Sequence, residues 1–199
     1  MFLCFYVFKV FMKIILFIFL LSSPVVAQNR QIAVTIDDLP VVSTRKDLKN
    51  RQNITKNLLK HITKAKVPAI GFVNENKLYA NDNRDERQID LLRMWLKANL
   101  ELGNHTFSHL SLHDNPLDKY KAEILQGEII TKELLQARNS KIRYFRHPYL
   151  WTGLSLEIKK DLGEFLAQNG YTIAPVTIDN ADYIFSRAYD NAFDKGDKK

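Results

Sequence analysis

Two neighbouring aspartates, Asp37 and Asp38, end the apolar run Ile32-Ala33-Val34-Thr35-Ile36, and two histidines four apart, His105 and His109, follow much later in Gly103-Asn104-His105-Thr106-Phe107-Ser108-His109. Two imidazoles and one carboxylate give a divalent ion three protein ligands and leave a position open for water or substrate, as hydrolytic zinc sites require. The other carboxylate is then free for proton transfer. Each piece alone has a simpler explanation. A His-x3-His spacing sets two rings on one face of any helix, and an Asp pair after a strand commonly caps a helix or forms a turn. Arg146-His147-Pro148-Tyr149 reads in isolation as a rigid turn with an arginine ion pair.

The elements around these residues are what join them. Short β-type runs alternate with longer helical patterns, which favours an α/β architecture with mainly parallel strands. Residues 32–36 form a first strand, and residues 48–65 a helix with an apolar stripe at Ile54, Leu58, Leu59 and Ile62, closed by Pro68. Residues 69–73 form a second strand. A polar loop through Asn81, Asp82 and Asn83 leads to a helix burying Ile89, Leu92, Trp95 and Leu96, and residues 100–103 form a third strand. Pro116 opens one long helix reaching about Ala137, with Ile124, Leu125, Ile129 and Leu134 inward. A fourth strand covers residues 142–145, a helix 155–168, and a fifth strand 171–178. In parallel sheets, functional residues gather where the carboxyl ends of the strands open onto one face. Asp37 and Asp38 follow strand one, His105 strand three, Arg146 strand four and Asp179 strand five, so every polar candidate reaches the same mouth.

The start of the chain reads as an export leader. Lys13 precedes the apolar core Ile14-Ile15-Leu16-Phe17-Ile18-Phe19-Leu20-Leu21, and Val25-Val26-Ala27 has the small residues of a processing site, so cleavage is expected after Ala27. Met12-Lys13 makes a tidier start than Met1. A membrane anchor is the competing reading, and the short apolar core and the cleavage signal weigh against it. Residues 28–199 then form one domain of 172 residues, long enough for a hydrophobic core. Without the leader's Lys9 and Lys13, 27 basic residues face 22 acidic ones, and the resulting +5 calls for no nucleic-acid partner. Cys4, the single cysteine, lies in the leader, so metal ligands in the mature chain come from His, Asp and Glu.

These motifs together resemble the polysaccharide deacetylase family, also called the NodB-homology or carbohydrate esterase family four domain. Thr35-Ile36-Asp37-Asp38 is similar to its Thr-Phe-Asp-Asp motif with Ile for Phe, and His105 to His109 matches its His-Ser/Thr-x-x-His motif. Arg146 to Tyr149 matches Arg-x-Pro-Tyr, and Asp179 to Tyr183 is similar to Asp-x-x-Asp-Trp with Tyr for Trp. The resemblance implies a distorted (β/α) barrel. It also implies a later leucine-rich strand bearing a general-acid histidine, which does not occur before Lys199, so the expectation is a C-terminally truncated domain and an incomplete barrel.

What the resemblance implies for chemistry is specific. Asp38, His105 and His109 hold a divalent ion, most simply zinc, and Asp37 is the base. Arg146 holds Asp37 through a charge-assisted bond, and the backbone N–H of Tyr149 stabilises the oxyanion, since Pro148 has none to give. Trp151 and Tyr183 line a sugar groove. His147 and His113 are not expected to replace the missing acid, His61 belongs on the surface, and Thr106 braces the histidine loop. The implied activity is removal of N-acetyl groups from a polysaccharide such as peptidoglycan or a chitin-like polymer, by a secreted or periplasmic protein with no membrane anchor after cleavage. A catalytically deficient, carbohydrate-binding relative is the alternative. A non-haem iron oxygenase would share the ligand triad, but the alternating α/β pattern argues against it.

Overall fold

A computed structural model describes residues 32–45 and 47–196, so the leader, its cleavage site and Cys4 lie outside the described residues. The β-branched run at the start of the domain forms β1 (Val34–Leu39), and Ala69-Ile70-Gly71-Phe72-Val73 forms β2 beside it, in parallel. The connection is α1 (Leu48–Ala65), capped at its start by the Asp47 carboxylate on Asn50 N–H and closed by Lys66 in the left-handed conformation. It buries Leu59 and Ile62 against the sheet. Gly71 is required by close approach: a Cβ there would stand 2.1 Å from Leu39 Cδ1.

The sheet continues through β5 (Glu101–Asn104), β6 (Tyr144–Phe145) and β7 (Thr172–Ile173), giving the parallel order β1-β2-β5-β6-β7. The alternation read from the sequence is therefore observed. Among the described residues β1 and β7 are the two outer strands of an open sheet rather than neighbours in a closed barrel. Between β2 and β5, Asn81 and Asp82 both take positive φ and turn a two-stranded hairpin, β3 (Tyr79–Ala80) with β4 (Asn83–Arg84), where a loop was expected. Two consecutive left-handed residues match the natural twist of a hairpin, and Asn and Asp tolerate that conformation. The helix α2 (Glu86–Lys97) buries Ile89, Leu91, Leu92, Trp95 and Leu96, and one core runs from Ile89, Leu92, Trp95 and Leu96 through Val73, Leu102 and Phe145 to Leu162 and Leu166 of α5 (Leu156–Gln168).

The expected long helix is two helices, α3 (Leu117–Gln126) and α4 (Ile129–Gln136). The break sits where another chain segment needs the space. A Cβ on Gly127 would stand 2.6 Å from Phe107 N and Thr106 C, and Phe107 N–H donates to Glu123 O. Interrupting the helix also shifts its phase: Ile130 and Leu135 are buried, while Leu125 and Ile129, expected inward, are exposed. The fifth strand is likewise shorter than residues 171–178, keeping only Thr172 and Ile173 in the ladder. A further helix, α6 (Asp182–Asp194), follows it with no buried residue.

Two buried polar groups make this arrangement testable. Glu75, fully buried in the 3-10 turn after β2, accepts from the N–H groups of Ile130 (2.9 Å) and Thr131 (2.6 Å), so it caps α4 from across the fold. Glu75→Ala leaves these donors unpaired and is expected to cost about 1–3 kcal/mol in urea unfolding, with Glu75→Gln intermediate. A loss indistinguishable from zero would contradict the cap. His147 is buried between Tyr120 and Phe145, and burial, with Lys159 and Arg146 nearby, pushes it down from 6.5 to about 4. As pH falls, the unfolded chain takes up this proton near 6.5 and the folded chain only near 4, so stability is lost across that window, by at most about 3 kcal/mol. His147→Gln should flatten the stability-against-pH curve between these values; an unchanged slope would contradict a neutral, buried His147.

Candidate metal centre

In a regular strand two consecutive side chains point to opposite faces, so Asp37 and Asp38 could not share a site there. β1 is not regular. Val34, Thr35 and Ile36 pair with Ala69, Ile70 and Gly71, but the next pair is Leu39 with Val73, leaving one extra residue on β1. Asp38 absorbs it with a φ of 67°, a bulge in the left-handed conformation that Asp tolerates better than most residues. Both carboxylates then face the histidines. Asp37 Oδ2 is 4.0 Å from His105 Nε2 and Asp38 Oδ1 is 3.9 Å from His109 Nε2.

The histidines are not on a helix, contrary to the simplest reading of their spacing. They lie in a loop after β5 in which Thr106 and His109 both take positive φ. Buried side chains hold that shape: Asn104 Oδ1 accepts from Thr106 N–H, and the Asn104 amide donates to Ile124 O and to the Tyr171 hydroxyl. Thr106 Oγ1 accepts from Leu110 N–H, the local brace expected of it. His105 Nδ1 lies 2.8 Å from Arg146 O. A carbonyl only accepts, so Nδ1 carries the proton and Nε2 keeps its lone pair for the site.

Electrostatics suit the same purpose. Burial pushes His105 down to about 4 and also lowers His109, Asp38 opposing in both, so the imidazoles are neutral. Burial raises Asp38, but Lys77 foremost, joined by His109 and His105 where acid protonates them, outweighs it and holds the carboxyl below its usual range. The donor atoms of Asp38, His105 and His109 all lie within 4.8 Å of one another. Tetrahedral coordination at about 2.1 Å sets donors roughly 3.4 Å apart, so these three residues fit a divalent ion after a small inward movement.

Asp37 stands beside this group. Burial, opposed by Arg146 and reinforced by Asp38, Asp182 and Asp179, raises its pKa to about 6. The expected charge-assisted bond from Arg146 is not formed: Nε is 3.7 Å from Asp37 Oδ1, and both atoms are buried without a hydrogen-bond partner. The guanidinium is held instead by Thr35 Oγ1, 2.8 Å from Nη2, and by the Phe72 ring, 4.9 Å from its carbon.

The aromatic candidates separate. Tyr149, with φ 58°, sets its ring 4.5 Å from that of His109 and 4.9 Å from that of Trp151, and His113 stacks on Trp151 at 4.5 Å. Tyr183 lies on α6, 61% exposed, and among the described residues no aromatic contact joins it to this row. His61 is exposed. One participant escaped the sequence reading: Lys77 Nζ is 3.0 Å from Asp38 Oδ1, 2.9 Å from Asp38 O and 3.0 Å from Asn74 Oδ1. Its signal was the polar run Asn74-Glu75-Asn76-Lys77 at the carboxyl end of strand two, on the same mouth as the other candidates.

Comparison with known proteins bears on the fold and the family. The fold resembles a family 4 carbohydrate esterase from Streptomyces lividans (TM-score 0.58, 18% identity, 79% of this chain and 68% of that one). It also resembles the chitin deacetylase of Colletotrichum lindemuthianum (TM-score 0.53, 25% identity, 76% and 57%). A third similar structure is a CE4-family pseudoenzyme from Bacillus anthracis (TM-score 0.56, 17% identity), of which 79% of this chain covers 47%, so the chain spans about half that protein's length. No curated protein sequence matches the chain. The polysaccharide deacetylase family profile matches residues 25–174, a span that contains the bulged aspartates, the histidine loop and the arginine turn. By that match the chain belongs to the polysaccharide deacetylase family.

Proposed function

We propose that this chain is a metal-dependent hydrolase that removes N-acetyl groups from a polysaccharide, cleaving a carbon–nitrogen bond that is not a peptide bond. The observation that carries the reading is the convergence of Asp38, His105 and His109 donor atoms within 4.8 Å, with Asp37 alongside. Relatives of this fold include a peptidoglycan deacetylase from Bacillus subtilis and the fungal chitin deacetylase, and these names support a polymer of N-acetylglucosamine as the substrate. The leader ending at Ala27 supports action outside the cytoplasm, where such polymers occur. No helix among the described residues is long and apolar enough to cross a membrane.

Asp38, His105 and His109 would hold the ion, zinc being the simplest choice for a set of two imidazoles and a carboxylate. Held by these residues, a divalent ion would polarise an amide carbonyl and bring the pKa of water to about 7. Asp37 takes the proton of the attacking water at Oδ2, the oxygen that faces His105, and returns that proton to the amine nitrogen as the carbon–nitrogen bond breaks. Arg146 keeps a fixed positive charge behind Asp37, close enough to bias the carboxylate but not bonded to it. The strained pair Tyr149 and Leu150, at φ 58° and 61°, supports a backbone specialised for function, and the Tyr149 N–H is assigned to the oxyanion. The exposed face of Trp151, backed by His113, offers a sugar ring a stacking surface; Tyr183 is the second candidate for this role. A carbohydrate-binding relative without turnover is the second reading. It is favoured by the unbonded Asp37 and Arg146 atoms and by the likeness to the Bacillus anthracis pseudoenzyme.

Zinc titration by calorimetry together with acetate release from chitooligosaccharides separates the two. His105→Ala is expected to weaken zinc binding by more than about 100-fold, beyond the effect of losing an outer-shell partner. Asp37→Asn should retain zinc and lose acetate release by roughly 100-fold to 10,000-fold. Full activity in Asp37→Asn would overturn the assignment of the base, and zinc binding without acetate release in the wild type would favour the binding-only relative. Trp151→Ala should raise KM about threefold to tenfold with kcat little changed; an equal fall in kcat at constant KM would place Trp151 outside substrate binding.

A further inference from the structure

We propose that Lys77 is a positioning residue that fixes Asp38 as a single-oxygen metal ligand, an inference that rests on the metal reading above. The Asp38 oxygen closest to His109 is Oδ1, and this same atom accepts from Lys77 Nζ at 3.0 Å. The ammonium has three protons, and three oxygens receive them: Asp38 Oδ1, Asp38 O and Asn74 Oδ1, at 2.9–3.0 Å. A lysine with every donor committed is a strut rather than a mobile surface charge. Its side chain is only 22% exposed, in the turn that also delivers Glu75 to α4.

The strut reaches both kinds of ligand. By gripping the carbonyl and the carboxylate of Asp38 together, Lys77 holds the left-handed bulge residue at both its backbone and its side chain. Through Asn74, fully buried, it continues to the histidine loop, because the Asn74 amide donates to His105 O at 2.6 Å. A path of hydrogen bonds thus links the carboxylate ligand on β1 to the imidazole ligand after β5, across β2 between them. Without the ammonium, Asp38 could pivot about χ1 and χ2 and offer both oxygens to one ion, which raises the coordination number. Arginine would not substitute, since its planar fork spreads the donors over three nitrogens and cannot serve three oxygens gathered around one point.

Cobalt(II) in place of zinc reports coordination directly, because four-coordinate cobalt absorbs visible light far more strongly than six-coordinate cobalt. The full chain loaded with cobalt is expected to show the intense band, and Lys77→Met to lose it by severalfold while still binding cobalt. Lys77→Cys treated with 2-bromoethylamine, which rebuilds an ammonium of nearly the same length, should restore the band, with treated wild type as the control for Cys4. That recovery excludes misfolding as the cause. A Lys77→Met spectrum superimposable on wild type, or no recovery in the rebuilt side chain, would overturn the inference while leaving the metal reading intact. Wild-type protein that takes up no cobalt would contradict the metal reading, and this inference with it.

Discussion

One extra residue in β1 carries the rest of the site. Where β1 passes β2, the ladder moves from Ile36 opposite Gly71 to Leu39 opposite Val73, and Asp38 takes up the slack at positive φ. Strand geometry otherwise forces adjacent side chains apart, so without this bulge one aspartate would face the histidines and the other would be turned away from them. The bulge lets two chemically identical groups occupy different environments a few ångströms apart. Asp38 is held below its usual pKa by Lys77 and the histidines, whereas Asp37 is raised to about 6 by burial. Environment, rather than residue type, would divide the proposed labour between ligand and base.

The histidine loop depends on the core in the same way. Its left-handed Thr106 is tolerable because buried amides and carbonyls hold it and both its neighbours: Asn104 on Thr106, Asn74 on His105, and Glu123 of α3 on Phe107. Gly127 is the point where helix and loop meet, and the interruption of the helix there exists to let the loop in. Arg146 joins the two halves. Its carbonyl sets the tautomer of His105 while its guanidinium lies beside Asp37, so one residue at the end of β6 touches both the proposed ligand and the proposed base.

Much of this was legible in the sequence because it follows from periodicity and from strand ends. The helix at residues 48–65, the strand at 69–73, the buried face of α2 and the clustering of Asp37, Asp38, His105 and Arg146 at one mouth come from local pattern plus the rule for parallel sheets. What escaped depends on partners distant in the chain. The bulge is a matter of register between β1 and β2, and nothing in Thr35-Ile36-Asp37-Asp38 alone fixes register. The split of the long helix is imposed by Phe107, some 20 residues earlier, and by Glu75, more than 50 residues earlier. Lys77 sits in a polar run at the mouth, but only the fold brings it to Asp38, 39 positions away. The fifth strand, expected over residues 171–178, pairs only at Thr172 and Ile173, and α6, which buries no residue, was missed.

Anomalous diffraction at the zinc edge from crystals of the zinc-loaded chain locates the ion against its ligands. A single strong peak is expected, bonded to one Asp38 oxygen, His105 Nε2 and His109 Nε2, with Asp37 next to the ion but outside its bonded shell. A peak bonded to Asp37 in place of Asp38, or zinc bound only at residues away from the two histidines, would contradict that coordination.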